Sequence, residues 1–132
     1  MRQPIPLFTL LVLGACLAVL SARAAEPSVQ KYPDVVAAKA QARGADTFDF
    51  DVTVSSPYDT PQRYADAFRV FGKDGAMLGE RILLHDHAGE QPFTRDLYGV
   101  RIPREVRAVT VQARDQKFGY GGKTVEVALP GR

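Results

Sequence analysis

The clearest pattern in the chain is the alternation of apolar and polar residues over positions 47–55. Phenylalanine or valine occupies every second position, and mainly aspartate and threonine lie between them. A period of two with one apolar face predicts a β-strand that packs one side against a core. The apolar positions of this predicted strand are Phe48, Phe50, Val52 and Val54.

Five further segments carry a strand pattern, each bounded by turn-forming residues. They cover positions 64–71, 77–84, 93–102, 108–114 and 124–129. Residues 72–75 predict a hairpin turn, because Gly75 readily takes the positive φ that a tight turn requires. Residues 118–122, which include three glycines, predict a loop.

Residues 35–43 fit two different structures. Asp34 could cap an alanine-rich helix that ends at Gly44, or the same residues could form a strand with Val36 and three alanines on one face. The β character of the remaining chain favours the strand. About seven short strands at roughly 8–12-residue spacing are typical of an antiparallel β-sandwich. The sequence therefore predicts an all-β domain over residues 35–132, preceded by a flexible lead-in over 25–34.

The last third of the chain resembles the fibronectin type III pattern. The resemblance rests on Leu97-Tyr98-Gly99-Val100-Arg101-Ile102-Pro103 and on the alternating segment 109–114 that follows it. It implies an immunoglobulin-like sandwich. The chain departs from that pattern because it contains no tryptophan and because Val106-Arg107 stands where the pattern has a tyrosine. Residues 84–95 also resemble small exported bacterial proteins, a likeness that implies a compartment but no activity.

The first 24 residues have the layout of a secretory signal peptide. Arg2 is followed by an apolar stretch over residues 5–20, and Ala22-Arg23-Ala24 predicts cleavage between Ala24 and Ala25. We therefore expect a periplasmic or secreted protein with no membrane span after cleavage. The alternative is a lipid anchor in the bacterial envelope, because Leu13-Gly14-Ala15-Cys16 resembles a lipobox with Cys16 as the lipidated residue.

The net charge of +2 comes from this leader. Arg2 and Arg23 are the two excess positive residues, so residues 25–132 carry 15 basic and 15 acidic side chains. The overall charge therefore gives no argument for a nucleic acid or an anionic membrane as partner. Cys16 is the only cysteine, and cleavage before Ala25 would leave no thiol for a disulfide or for catalysis.

Both histidines of the chain lie close together, at the predicted end of a strand. Side chains two residues apart share a face of a strand, so His85 and His87 could chelate one metal ion, with Glu90 as an oxygen ligand. Neutral imidazole and carboxylate suit Zn²⁺ or Cu²⁺. This pattern predicts, as one alternative, a periplasmic metal carrier.

The other alternative is a protein-binding or accessory module without enzymatic activity. No serine lies in a nucleophile motif, and no pair of carboxylates is singled out for acid–base chemistry. Loops carry function more often than strands do, and predicted loops contain several residues suited to binding. We expect another envelope protein as partner, and the candidate binding residues are Gln91, Phe93, Arg95 and Tyr120.

Overall fold

The computed structural model of the chain describes residues 29–132, together with Pro4. The predicted leader, its cleavage site at Ala24 and Ala25 and the candidate lipidation site at Cys16 lie outside the described residues. Among the residues that are described, no helix is long and apolar enough to cross a membrane.

Seven strands form the regular structure of the described residues, which confirms the all-β prediction. Their bounds in chain order are β1 (Asp34–Ala42), β2 (Thr47–Ser55), β3 (Ala65–Phe71), β4 (Met77–Ile82), β5 (Phe93–Arg101), β6 (Ala108–Asp115) and β7 (Gly119–Ala128). The segment 35–43 is thus a strand and not a helix.

The strands form two antiparallel sheets that pack face to face. One sheet has the order β1-β2-β5 and the other has the order β4-β3-β6-β7. Alternate side chains from both sheets point inward and form one core, as the period-two patterns predict, so the β-sandwich prediction is confirmed. The largest core side chains are Phe50, Phe68, Phe93 and Ile102.

The glycine-rich segment 118–122, predicted as a loop, is largely part of β7. Gly119, the first residue of β7, pairs with Asp115, the last residue of β6, and the antiparallel pairing continues with Tyr120 opposite Arg114. Its glycines are needed for packing: a Cβ on Gly121 would collide with the Tyr32 ring, and a Cβ on Gly122 would collide with the Pro33 carbonyl oxygen. Glycine therefore marks a close approach between two segments of chain, and not the end of the strand.

Strand register assigns the loops to two ends of the sandwich. Asp34 pairs with Ser55 in one sheet, and Ala65 pairs with Asp115 in the other. The end where these pairs lie, which we call the lead-in end, carries residues 29–33, 56–64, 83–92 and 116–118. The opposite end, which we call the turn end, carries residues 43–46, 72–76, 102–107 and 129–132.

The described part of the predicted lead-in is bonded to the sandwich. The Gln30 Nε2 donates to the Ser55 carbonyl at 3.1 Å, and the Arg63 guanidinium donates to the carbonyls of Gln30 and Lys31 at 3.3 and 2.5 Å. Pro33 is fully buried. Packing against the sandwich therefore begins before residue 35.

We predict that Gly122→Ala strongly destabilises the fold. Gly122 has a φ of +75°, and the added Cβ would meet the Pro33 carbonyl, so both backbone strain and a collision oppose the substitution. We expect the free energy of unfolding in urea to fall by about 2 kcal/mol or more. Gly89→Ala is the matched control, because Gly89 lies in a loop with no atom within 4 Å of the new Cβ. Equal stability of the two variants would contradict this account of β7.

Candidate functional site

The loop between β4 and β5, residues 83–92, is the longest of the loops between strands at the lead-in end. It begins with Leu83, whose side chain is buried and whose amide donates to the Asp66 carbonyl at 2.8 Å. The next side chain, Leu84, is 83% exposed. The loop therefore presents a large apolar side chain to solvent immediately after a residue that is fixed in the core.

A buried carboxylate, that of Asp59, fixes the middle of this loop. Asp59 lies in the β2–β3 loop and is only 4% exposed. One of its oxygens accepts the amide of Ala65, the first residue of β3, and the other accepts the amide of His87, each at 3.0 Å. No ion pair involves Asp59 among the described residues. Its role is to satisfy two buried N–H groups that would otherwise lack acceptors.

The side chain of Gln91 makes a second set of bonds between the same two loops. Its Oε1 accepts the Ser56 amide at 2.8 Å, and its Nε2 donates to the His87 carbonyl at 3.1 Å and to the Ser56 Oγ at 3.3 Å. The amide of Glu90 also donates to the His87 carbonyl. Gln91, predicted as a contact residue for a partner, is therefore an internal support of the loop.

Phe93 and Arg95, the next two predicted binding residues, also support the loop, Phe93 from the core and Arg95 through a surface ion pair. Phe93 is fully buried, and the His87 ring stacks on it with centroids 3.9 Å apart and an interplanar angle of 12°. Arg95 forms a bidentate ion pair with Glu90 at 2.9 and 3.2 Å. The hydrogen bond from Arg95 lowers the pKa of the exposed Glu90 carboxyl.

The two histidines lie in this loop and not in a strand, because β4 ends at Ile82. Their ring centroids are 4.9 Å apart. His85 is exposed, with its Nδ1 2.8 Å from the Asp86 carbonyl, whereas His87 is 6% exposed and its Nδ1 has no hydrogen-bond partner in the described part of the chain. Burial lowers the pKa of His87, and the nearby positive charges of Arg95 and His85 lower it further.

Protonation of His87 therefore costs the folded state free energy. Because its folded pKa lies below the ordinary value of 6.5, the unfolded chain binds the proton more readily. Above pH 6.5 the imidazole is neutral in the folded and the unfolded chain, so it does not reduce the free energy of unfolding. The free energy of unfolding then declines as the pH falls from 6.5 through the folded pKa of His87. A neutral imidazole is also the form that binds metals.

The third predicted metal ligand is not assembled with the histidines. Glu90 is paired with Arg95, and within residues 29–132 there is no group of three or more histidine, cysteine, aspartate or glutamate side chains placed to hold a metal ion. The geometry offers at most a site with two imidazole ligands.

Tyr120, the fourth predicted binding residue, lies on the outer face of the four-stranded sheet. It belongs to β7, not to a loop, and the guanidinium groups of Arg69 and Arg114 lie 4.1 and 5.6 Å from the centroid of its ring. Its hydroxyl donates to Glu80. Burial and this bond raise the pKa of Tyr120 well above its usual value. Tyr120 is therefore separate from the β4–β5 loop.

A second buried carboxylate, Asp115, organises the other side of the lead-in end. It is fully buried and accepts the Tyr58 hydroxyl at 2.7 Å, the amides of Lys117 and Phe118 at 2.9 and 2.8 Å, and the Arg63 Nε. Burial alone would raise the pKa of Asp115, but these bonds outweigh it and hold the pKa below 3.8. The ionised Asp115 carboxylate thus stabilises the fold above about pH 3.8, and this stabilisation is lost as the pH falls through the folded pKa of Asp115.

Sequence reasoning missed both buried carboxylates. For Asp115 a signal exists: it continues the apolar positions 109, 111 and 113 of β6, so its side chain had to point inward. For Asp59 there is none, because its partners are 6 and 28 residues away in a different loop and strand.

Comparison with protein-family models, with curated proteins and with solved structures finds no match to this chain.

We predict that Asp59→Ala destabilises the protein by about 2–6 kcal/mol. The substitution leaves the amides of Ala65 and His87 buried without an acceptor, at about 1–3 kcal/mol for each. Asp74→Ala is the matched control, since Asp74 accepts a single exposed amide in the β3–β4 turn. We expect it to cost less than about 1 kcal/mol. Equal urea midpoints for the two variants would refute the role assigned to Asp59.

Proposed function

We propose that the protein is a binding module that holds a protein partner through its β4–β5 loop. The observation that carries this proposal is an exposed leucine on an internally bonded loop: Leu84 is 83% exposed, while the loop around it is bonded to Asp59, Ser56 and Asp66. A loop that is ordered before binding loses less conformational entropy when the partner arrives.

The chemistry of the exposed side chains favours a partner with an apolar pocket. Ile82, at the end of β4, is 47% exposed and lies two residues before Leu84, and the residue between them, Leu83, points into the core. The side chains of Ile82 and Leu84 thus both point away from the core into solvent. Burying one such side chain fully contributes about 1.5–3 kcal/mol, enough for a small central contact.

The proposal extends to the compartment and to the type of sandwich. The leader over residues 1–24 supports export, and with it an envelope protein as the partner. The division into sheets of three and four strands, with β4 beside β3, supports an immunoglobulin-like sandwich of the fibronectin type III kind. The candidate contact residues become Ile82, Leu84 and His85, and the loop that carries them is supported by Gln91, by the buried Phe93 and by the surface ion pair of Arg95 with Glu90.

We predict that a photo-reactive amino acid in place of Leu84 forms a discrete cross-linked product with a partner in living cells. The position is exposed and apolar, so the reactive group would enter the partner's pocket. The control is the same group in place of Val36, which is 51% exposed on β1, on the other sheet. Gel mobility and mass spectrometry report the product. No product from position 84, or the same products from both positions, would contradict the proposal.

A second candidate function is the binding of Cu²⁺ or Zn²⁺ by His85 and His87. It is favoured by the 4.9 Å separation of the two rings and by the lowered pKa of His87, which keeps that imidazole neutral at neutral pH. The remaining coordination positions would be filled by water, because Glu90 is bonded to Arg95.

The metal function predicts saturable binding at one ion per chain in a calorimetric titration with Zn²⁺ or Cu²⁺. His85→Asn, at an exposed position, would abolish that binding without loss of stability, whereas Glu90→Gln would leave it nearly unchanged. An absence of saturable heat, or a His85→Asn variant that binds as tightly as the natural chain, would eliminate this candidate.

A further inference from the structure

One corner of the lead-in end gathers basic side chains around an exposed aromatic ring. Phe118, in the β6–β7 turn, is 42% exposed. The Lys31 and Lys117 ammonium groups lie 4.8 and 5.3 Å from its centroid, and the Arg63 guanidinium lies 5.0 Å from it. We call these four residues the basic corner.

The positive charge of this corner is only partly neutralised. Arg63 is paired with Asp115, which is fully buried and cannot meet a ligand. Lys31 and Lys117 are exposed, and neither takes part in an ion pair among residues 29–132. Although residues 25–132 are neutral overall, this corner therefore offers two unneutralised ammonium groups next to an apolar ring.

The basic corner is also where the N-terminal segment joins the sandwich. Val29, Gln30 and Lys31 line the same groove as Lys117 and Phe118. The apolar stretch of the leader ends at Leu20, nine residues before Val29, and nine residues span at most roughly 30–32 Å. Whenever the leader or a lipid on Cys16 is in a membrane, the corner is within reach of the headgroups.

We propose that the basic corner docks on an anionic lipid surface. Lysine ammonium groups would approach the phosphates while the Phe118 ring enters the interface, a combination typical of peripheral membrane contacts. Each basic residue close to an anionic membrane strengthens binding roughly fivefold, so two lysines and one ring give weak binding that an anchor would strengthen. The contact is independent of the β4–β5 loop, which lies at the opposite edge of the four-stranded sheet.

The test is sedimentation with lipid vesicles of the protein as the cell produces it, expressed with its own leader. Vesicles of phosphatidylcholine alone are compared with vesicles in which about 30% of the lipid is the anionic phosphatidylglycerol. We expect stronger partition onto the anionic vesicles. Lys31→Glu combined with Lys117→Glu should reduce that partition roughly tenfold or more and leave partition onto neutral vesicles unchanged.

The control carries the same charge change at the other end of the sandwich. Lys73→Glu combined with Arg107→Glu alters two exposed residues of the turn end and should retain most of the anionic partition. Unchanged thermal melting shows that all variants are folded. Three results would overturn the proposal: equal partition of the natural protein onto both vesicles, equal losses in the two double variants, or binding of the corner to an acidic polypeptide but not to vesicles.

Discussion

The buried carboxylate of Asp59 is the contact on which the candidate site depends. It accepts the amide of Ala65 where β3 begins and the amide of His87 in the β4–β5 loop. A buried N–H without an acceptor is costly, so these two bonds determine where the loop can lie relative to the sandwich. The stacking of His87 on Phe93 and the bonds of Gln91 then complete a loop whose exposed part is Leu84 and His85.

The two ends of the sandwich differ in how their loops are stabilised. At the turn end, the Gly75 amide closes one short turn by donating to the Gly72 carbonyl, and the Arg132 guanidinium donates to the partly exposed Asp46 carboxylate and to the Ile102 carbonyl. At the lead-in end, two buried carboxylates bind loops that are distant in the sequence. Asp115 carries a cationic partner, Arg63, whereas Asp59 is satisfied by amides alone. Both proposed contacts, the β4–β5 loop and the basic corner, lie at the lead-in end.

The strands could be predicted from the sequence almost to the residue, because a period of two reports directly which face is buried. The segment 47–55 coincides with β2, for example. The start of β7 could not be predicted in this way. Its glycines resemble a loop until the packing of Tyr32 and Pro33 against them is known, and that contact joins residues about 90 positions apart.

The candidate site could be predicted only in outline. The sequence indicated the segment 85–95, but Phe93, expected to contact a partner, is buried in the core, and the side chain of Gln91 is bonded within the protein. The direction of Gln91 depends on its bonds to Ser56, which belongs to another loop. Local sequence carries no information on such bonds, whereas the inward position of Asp115 follows from the alternation within its own strand.

The central claim is that the β4–β5 loop is already ordered in the free protein. Amide hydrogen exchange of the free protein, measured by NMR, tests it most directly. The account predicts that the amide of His87 exchanges as slowly as core amides such as that of Val111, and that Asp59→Asn accelerates exchange at His87 more than at Val111. Fast exchange of His87 in the unaltered protein, at the rate of an exposed loop, would contradict the account.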